Sequence, residues 1–441
     1  MLKTEIINQV EMCLSRLGFD RHMPILKAYV RSHRQPIVVG GVALCSFAVG
    51  WLLPSPLALL KQKSTTPAHV SANALVEAKV SMSDGSVYEG SILASTRQRQ
   101  GYGRLTTSDG SVYEGNWSAD LLPYGTRTTP SSVYCGNFDS HLRNNGFGII
   151  TYTDAFVAGK RKQGAADHQI TRTYIGNWRA NVKEGLGRAV KMDYSVDFGM
   201  YSNGVLMAVE GMDYRMDDTV YGIDLSHYQR NIDWNNLALY CDNKGNVYPH
   251  KPAGRKYMRP VMFAYIKATE GATVKDEAYA HHSLEAERHG VVKGAYHFLH
   301  LGTDIDAQVK NFLETAGWTN GDLPPALDVE VEAQAERYGK SQVQKMTFEW
   351  LEAVERRLGV RPIIYTRERF RDKYLIDDPR FAKYSCWIAR YNTKGPDNED
   401  WRLWQLSETG VAGGYEGRVD INMYKGGYRS FMRYINGLGR R

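Results

Sequence analysis

The sequence predicts three kinds of structure in one chain: an irregular TIM-like β/α barrel of the α/β class, an all-β hairpin repeat array, and one N-terminal transmembrane helix. Three observations predict them. A charge-free apolar stretch lies near the N-terminus, a glycine- and aromatic-rich motif recurs in the middle, and strand-like and helix-like segments alternate from about residue 220 onward. A chain of 441 residues also has room for two or three domains.

The composition excludes several classes of protein. A formal charge of +7 with 43% hydrophobic residues is typical neither of a disordered chain nor of a nucleic-acid-binding protein. The cysteines have no metal-ligand spacing and no close pairs, so we expect neither a zinc site nor a disulfide framework. A single bridge between Cys241 and Cys386 remains open. The five cysteines are Cys13, Cys45, Cys135, Cys241 and Cys386.

The N-terminal apolar stretch has the length of a membrane span. Residues 36–60 carry no charge, and roughly 20 apolar residues suffice to cross a bilayer. Basic residues precede the stretch, among them Lys27, Arg31 and Arg34, and positive charge favours the cytoplasmic side. The alternative is a cleaved signal peptide, whose charged segment would then have an unusual length of about 35 residues. We therefore expect an uncleaved anchor with a cytoplasmic N-terminus.

The middle of the chain contains internal repeats. The glycines permit tight turns between short strands, and the aromatic residues stack from one hairpin to the next. These elements resemble the MORN repeat and predict a hairpin array over 80–210, with a degenerate unit at 155–164. Nucleotide binding by the G-x-G pairs is disfavoured, because no following helix is evident. The repeats contain VYEGSI from Val87, VYEGNW from Val112, VYCGNF from Val133 and TYIGNW from Thr173, with G-x-G segments at 101–110, 146–154 and 185–193.

The C-terminal half alternates between strand-like and helix-like segments. Repeated β/α units with eight strand candidates predict a barrel with a parallel sheet. The last strands follow one another with little room for helices, so we expect the barrel to be irregular at its end. The strand candidates are 220–226, 261–269, 291–299, 325–331, 361–366, 385–391, 401–407 and 418–424.

Acidic residues stand at the ends of these predicted strands. In a β/α barrel the catalytic groups lie at the C-terminal ends of the strands. Asp224, Asp328, Glu330 and Asp420 all occupy such positions. Asp328 and Glu330 are two residues apart on one strand and therefore share a face, where two acids repel each other. Three interpretations of these two acids are open at this point: a solvated strand end, an ion-pair site, or an acid/base pair.

Aromatic and polar residues from the other strands favour the acid/base pair. Sugar rings stack on aromatic side chains, and paired acids protonate a glycosidic oxygen and stabilise the oxocarbenium-like centre that forms. Lys267 can pair with one of the barrel acids. We therefore predict a carbohydrate-binding cleft. Its candidate substrate-binding residues are Tyr296, Tyr365, Trp387, Tyr391, Gln405 and Lys267.

The histidines do not change this interpretation. His281, His282 and His289 lie on one helical stretch without a ligand pattern, so a solvated helix face is favoured over a metal site. His297 is expected to support the cleft by hydrogen bonding.

Eight motifs in order resemble glycoside hydrolase family 25, the muramidases that cut bacterial peptidoglycan. The resemblance spans 220–428 and implies that Glu330 is the general acid and that Asp328 orients the substrate's acetamido group or the intermediate. Asp224 and Asp420 match two further active-site aspartates. The motifs are YGIDLSHYQRNIDW (221–234), FAYIKATEG (263–271), GAYHFLH (294–300), PALDVE (325–330), PIIYT (362–366), WIARYN (387–392), WQLSE (404–408) and VDINMY (419–424).

The family's activity is hydrolysis of the β-1,4 bond between N-acetylmuramic acid and N-acetylglucosamine, with retention of configuration and without metal or other cofactor. Direct attack by a carboxylate and attack by the substrate's acetamido group both remain open. A non-catalytic envelope scaffold that grips glycan is the alternative function, and hydrolysis of chitin is a narrower one. The link at 239–260 is longer than is usual in the family.

Together these expectations describe an exported enzyme in a bacterial inner membrane. Its partners are peptidoglycan strands and a protein or lipid that the repeats bind, with no nucleic acid. The predicted divisions are a cytoplasmic segment (1–35), the anchor (36–60), a linker (61–79), the repeats (80–210) and the barrel (211–435).

Overall fold

The computed structural model describes residues 74–207, 219–241, 258–391, 394–397 and 400–438. The predicted anchor and the segment before it lie outside these residues, as does most of the predicted linker. Within these ranges, no helix is both long and apolar enough to cross a bilayer. The chain divides into two compact units, Met1–Glu184 and Gly185–Arg441.

The first unit contains an antiparallel meander in which each strand pairs with the next. A helix, α1 (Asp154–Lys162), and a 3₁₀ turn (Asp167–Gln169) interrupt the meander before its last strand. The strands are β1 (Leu75–Ser81), β2 (Val87–Leu93), β3 (Arg99–Thr106), β4 (Val112–Trp117), β5 (Tyr124–Thr128), β6 (Ser132–Phe138), β7 (Asn144–Tyr152) and β8 (Thr171–Arg179).

The repeated aromatic residues pack over glycines of the neighbouring strand. A Cβ atom on Gly103 of β3 would overlap the Tyr88 ring, and the Trp117 indole Nε1 donates to the Gly103 carbonyl at 3.0 Å. Any larger side chain at that glycine would push the ring away. Glycine is therefore required by close packing in the sheet as well as by the turns. Tyr134, Gly148 and Trp178 repeat the arrangement, with an indole-to-carbonyl distance of 3.2 Å.

The prediction of a degenerate repeat at 155–164 is wrong, because α1 occupies that stretch. Thr153 caps the helix by accepting a hydrogen bond from the backbone N–H of Phe156 at 3.3 Å. Asp154 lies in the first turn and three basic residues, 160–162, lie in the last, which complements the helix dipole. These local signals favour a helix over a strand.

The second unit begins with strands of the repeat region. β9 (Val182–Lys191) runs past the division at Gly185 and pairs with β10 (Val196–Ser202), which pairs with β11 (Val205–Leu206). Leu186, Val196 and Phe198 form one buried apolar cluster with Ala238. The hairpin of β9 and β10 therefore shares an apolar cluster with β13 of the second unit.

Arg188 of β9 ties this hairpin to the barrel. Its buried guanidinium donates to the backbone carbonyls of Val261 (3.2 Å), His289 (3.2 Å) and Gly290 (2.7 Å). Burial lowers the pKa of Arg188 to about 10, since carbonyl oxygens compensate the charge less well than a carboxylate would.

The remaining strands and helices form the barrel and its surroundings. The strands are β12 (Thr219–Leu225), β13 (Ala238–Tyr240), β14 (Met258–Pro260), β15 (Phe263–Glu270), β16 (Val274–Lys275), β17 (Val292–Phe298), β18 (Ala326–Asp328), β19 (Ile363–Arg367), β20 (Cys386–Ala389), β21 (Trp401–Gly410), β22 (Ala412–Gly413) and β23 (Val419–Gly427). The helices are α2 (Tyr279–Arg288), α3 (Ile305–Thr315), α4 (Glu332–Tyr338), α5 (Lys340–Leu358), α6 (Glu368–Tyr374) and α7 (Tyr428–Gly437), with 3₁₀ turns at His227–Gln229, Trp234–Asn236 and Pro379–Lys383.

Eight of these strands close the barrel, and they coincide with the eight predicted strands. Their order is β12, β23, β21, β20, β19, β18, β17 and β15, and β12 pairs with β15 to complete the circle. β13 pairs with β14 and β22 in a small separate sheet. Much of the long link at 239–260, namely 242–257, lies outside the described residues. Cys241 and Cys386 form no disulfide.

One strand departs from the predicted parallel sheet. β23 runs antiparallel to both of its neighbours, β12 and β21. The connection over 411–418 is too short for the helical crossover that a parallel strand needs. The predicted irregularity at the end of the barrel is therefore a reversal of direction. It places the start of β23 beside the C-terminal ends of the other strands.

We expect Arg188→Met to lower the free energy of unfolding by about 2–4 kcal/mol, because three buried carbonyl groups lose a charged donor. Chemical denaturation of the full chain measures this change. Arg179→Met is the control, because Arg179 forms an exposed ion pair with Glu184 at 2.9 Å and should matter little. Equal stability of Arg188→Met and the wild type would contradict the assigned role.

Candidate active site

The four predicted acids meet at one mouth of the barrel. Asp224 lies at the end of β12, Asp328 ends β18, and Glu330 follows two residues later. Asp420 was predicted at a strand end but is the second residue of β23. Because β23 is antiparallel, Asp420 is nevertheless the direct cross-strand partner of Asp224.

Asp224 and Asp420 form a hydrogen-bonded pair. Asp224 Oδ2 accepts from Asn422 Nδ2 at 2.7 Å and from Gln405 Nε2 at 2.9 Å, whereas Gln405 Nε2 lies 3.5 Å from Asp420 Oδ2. Burial and the neighbouring Asp224 raise the pKa of Asp420 to about 9. Burial also raises the pKa of Asp224, but the two amide groups oppose that shift. The pair therefore shares a proton, which belongs mainly to Asp420.

Asp328 and Glu330 form the second pair of acids. Burial, followed by the charge of Glu330, raises the pKa of Asp328 well above its usual range. Burial also raises the pKa of Glu330, while Arg367 opposes the shift by donating from Nε to Glu330 Oε2 at 3.1 Å. Among the described residues, none bonds to the buried Asp328 Oδ1. The pair thus combines a partly exposed carboxyl group, Glu330, with a deeper carboxyl oxygen of Asp328 that none of the described residues satisfies.

Trp387 and Tyr365, predicted to bind substrate, lie in a packed layer beneath the acids. The Trp387 ring is only 2% exposed, stacks on Tyr265 with centroids 4.5 Å apart, and meets the edge of Tyr365 at 4.5 Å. Tyr296 meets Trp387 edge-on at 6.4 Å. Tyr391 is 44% exposed and presents an open ring at the rim. The structure therefore separates the buried Trp387 and Tyr365 from the partly buried Tyr296 and the exposed Tyr391.

Gln405 and Lys267 connect to the acids by different routes. Gln405 Oε1 accepts from the hydroxyl groups of Tyr365 and Tyr391, both at 2.9 Å, so its amide nitrogen faces the Asp224 pair. Lys267 Nζ donates to Glu270 Oε2 at 2.6 Å, and its charge opposes part of the rise in the pKa of Asp328. The expected pairing of Lys267 with a barrel acid is therefore present.

Sequence reasoning missed Asn422, Arg367 and Glu270. Asn422 stands two residues after Asp420, and residues two apart on a strand share a face. The same spacing relates Arg367 to Tyr365. Strand alternation, extended from each predicted site residue, would have identified Asn422 and Arg367.

The histidines follow the prediction only in part. His297 lies 2.7 Å from Thr269 Oγ1 and 3.1 Å from Gln308 Oε1, which confirms the expected hydrogen bonding. Burial lowers the pKa of His297 to about 4. The predicted solvated helix face is wrong for His282 and His289, which are buried against Trp234. Across the described ranges, no cluster of three or more His, Cys, Asp or Glu side chains could hold a metal ion.

A β/α barrel with four interacting carboxyl groups at one mouth defines the acid/base class of glycoside hydrolases. Comparison with known proteins gives the family. The model of glycosyl hydrolases family 25 matches residues 223–415, and the MORN repeat model matches 98–112 and 174–195. The chain belongs to glycoside hydrolase family 25.

Individual relatives match about half of the chain. "Lysozyme M1" of Streptomyces globisporus is 31% identical over 231 residues, which cover 49% of this chain and 71% of that protein. "Uncharacterized protein YegX" of Escherichia coli K12 is 32% identical over 222 residues, which cover 50% and 75%. A solved bacterial lysozyme from Streptomyces coelicolor is 29% identical, with a TM-score of 0.42, and covers 49% of this chain and 97% of that one.

Asp420→Asn should stabilise the protein and should do so more at higher pH. The raised pKa of about 9 means that the folded state holds a proton that the unfolded state has released. Stability therefore falls as pH rises from about 4 to 9, and the variant escapes this loss. Thermal unfolding at pH 5, 7 and 8 measures the effect. Asp372→Asn, at an exposed position on α6, is the control, and a pH-independent difference for Asp420→Asn would refute the assignment.

Proposed function

We propose that this chain is a peptidoglycan hydrolase of the lysozyme type. It is an N-acetylmuramidase that cleaves the β-1,4 bond between N-acetylmuramic acid and N-acetylglucosamine with retention. The observation that carries the proposal is the second pair of acids, in which Glu330 lies at the open mouth beside the deeper Asp328 and burial raises the pKa of both carboxyl groups. Membership of family 25 and the name of the Streptomyces globisporus relative support the same activity.

Glu330 acts as the general acid. Its side chain is 20% exposed, so a glycosidic oxygen can reach it. Arg367 donates to Oε2, which makes Oε2 the acceptor and leaves Oε1 as the oxygen that carries the proton. When that proton moves to the leaving group, the guanidinium stabilises the carboxylate that remains. The restored carboxylate can then take a proton from the incoming water.

Asp328 and the Asp224 pair act on the sugar itself. The unsatisfied Asp328 Oδ1 is suited to accept the N–H of an acetamido group, which would align its carbonyl oxygen with the anomeric carbon. The negative charge shared by Asp224 and Asp420 stabilises the oxocarbenium-like centre across the mouth. Attack by the acetamido oxygen and attack by a carboxylate both give net retention, because each inverts the anomeric carbon once and water inverts it again when it displaces that nucleophile.

The proposal extends to the location of the enzyme. Residues 36–60 anchor the chain in a bacterial inner membrane as a single span, with the N-terminus in the cytoplasm. The repeats and the barrel are then exported to the side where peptidoglycan lies. The repeats bind a protein or lipid partner there. The charge-free stretch and the basic residues before it support this arrangement.

Glu330→Gln should reduce the release of reducing ends from purified peptidoglycan by about 10²–10⁴-fold, because the amide cannot donate the proton. Wild-type fragments should end in reducing N-acetylmuramic acid when analysed by mass. Glu332→Gln is the control, since Glu332 lies on α4 and pairs with Lys373 at the surface.

Other outcomes separate the alternatives. Retained digestion by a folded Glu330→Gln variant would remove Glu330 as the acid. Reducing N-acetylglucosamine ends would change the bond that is cut, and faster digestion of chitin would change the polymer. No release by the folded wild-type chain would favour the envelope scaffold.

The anchor can be tested in intact cells. A protease added to spheroplasts should degrade the repeats and the barrel while leaving a short N-terminal fragment protected by the membrane. A full-length chain protected from the protease, or recovered without its first 60 residues, would contradict the proposed topology.

A further inference from the structure

Asn422 is buried at the centre of the site, and its orientation is fixed by chemistry. The Trp387 indole Nε1 lies 2.7 Å from Asn422 Oδ1. An indole N–H can only donate, so the oxygen of the Asn422 amide must face Trp387. The amide NH₂ therefore faces Asp224 Oδ2, 2.7 Å away.

Gln405 is oriented in the same way from the neighbouring strand. It is the direct cross-strand partner of Asn422. Two tyrosine hydroxyl groups donate to Gln405 Oε1, so Nε2 points towards the acids. It lies 2.9 Å from Asp224 Oδ2 but 3.5 Å from Asp420 Oδ2. Two aligned amide donors thus converge on one oxygen of Asp224, while Asp420 receives from these two amides the single longer contact of 3.5 Å.

We infer that Asn422, assisted by Gln405, is a positioning residue that keeps Asp224 ionised and the shared proton on Asp420. This inference rests on the proposed function, because it assigns the charge that faces the sugar to Asp224. An oxygen that accepts two N–H groups is stabilised as a carboxylate oxygen, whereas Asp420 can donate its proton to Asp224. Trp387, in the aromatic layer beneath the acids, sets the direction of the Asn422 amide through its indole N–H.

Several other titratable groups lie near the pair, and among them Glu408 and Glu330 raise the pKa of Asp420. None of them replaces the directional contact from Asn422. They are Asp328, Glu330 and Glu408 among the acids, and Tyr296, Tyr365 and Tyr391 among the phenols.

The test is a direct titration of the two carboxyl groups in the full chain, without substrate. Aspartate labelled with ¹³C at the carboxyl group is followed by NMR, and the two signals are assigned with Asp224→Asn and Asp420→Asn. In the wild type, Asp224 should titrate well below Asp420. Asn422→Leu should raise the Asp224 midpoint by about one to two pH units, the size of one hydrogen bond to a charged group. The acid limb of the pH–activity profile should move in the same direction.

Two further variants separate positioning from a loss of packing. Asn311→Leu is the matched control, because Asn311 is a buried amide that donates to the carbonyls of Gly271 (3.1 Å) and Val274 (3.0 Å) rather than to an acid. It should lower the thermal midpoint without moving either titration. Trp387→Phe removes the orienting N–H but keeps an aromatic ring in the layer, and it should raise the Asp224 midpoint by less than Asn422→Leu does.

The result that overturns the inference is an Asp224 midpoint that stays at the wild-type value in Asn422→Leu, or in Trp387→Phe if the first variant does not fold. An equal shift in Asn311→Leu would overturn it as well. Because no substrate is present, a shifted titration in a chain that fails to digest peptidoglycan would refute the proposed activity and leave the inference standing.

Discussion

The site depends on the register between β12 and the antiparallel strand β23. That register sets Asp420 opposite Asp224 and, two residues on, places Asn422 on the same face. A slip of one residue would turn both side chains to the other face of the strand, where the packing around the barrel excludes charge. The same strand pairs with β21 and brings Gln405 opposite Asn422. One reversed strand therefore supplies or aligns four polar groups.

Concentrating acids in this way costs stability, and the surroundings offset the cost only in part. Burial raises the pKa of each of the four acids, so the folded site holds protons that water would remove. Arg367 and Lys267 reduce the repulsion around the second pair of acids, and two amide groups do so for Asp224. The compensation remains incomplete, because a site that neutralised every acid would have no proton to transfer and no charge to offer the sugar.

Local patterns in the sequence were sufficient for the eight barrel strands and for the four acids, since alternation and strand ends are encoded by neighbouring residues. Local patterns did not predict the direction of β23, although the short connection before that strand is evidence for an antiparallel strand. His282 was misjudged because the buried side of α2 is set by the barrel against which the helix packs. The aromatic residues were recognised as part of the site, but their depth was not, since burial beneath the acids depends on the closure of the whole sheet.

Arg188 shows the same limit and adds a constraint on the second unit. In the sequence it belongs to a repeat, where it directly follows the G-x-G segment at 185–187 and precedes Ala189. In the structure its charge is satisfied by carbonyl groups near the starts of β15 and β17, at the end of the barrel opposite the acids. Among the described residues its hydrogen-bond acceptors are these backbone carbonyl groups, and each of them must point at the guanidinium to stabilise the charge. The hairpin of β9 and β10 is thus bound to the floor of the barrel, and a boundary drawn by repeat similarity alone would separate Arg188 from the carbonyl groups that it binds.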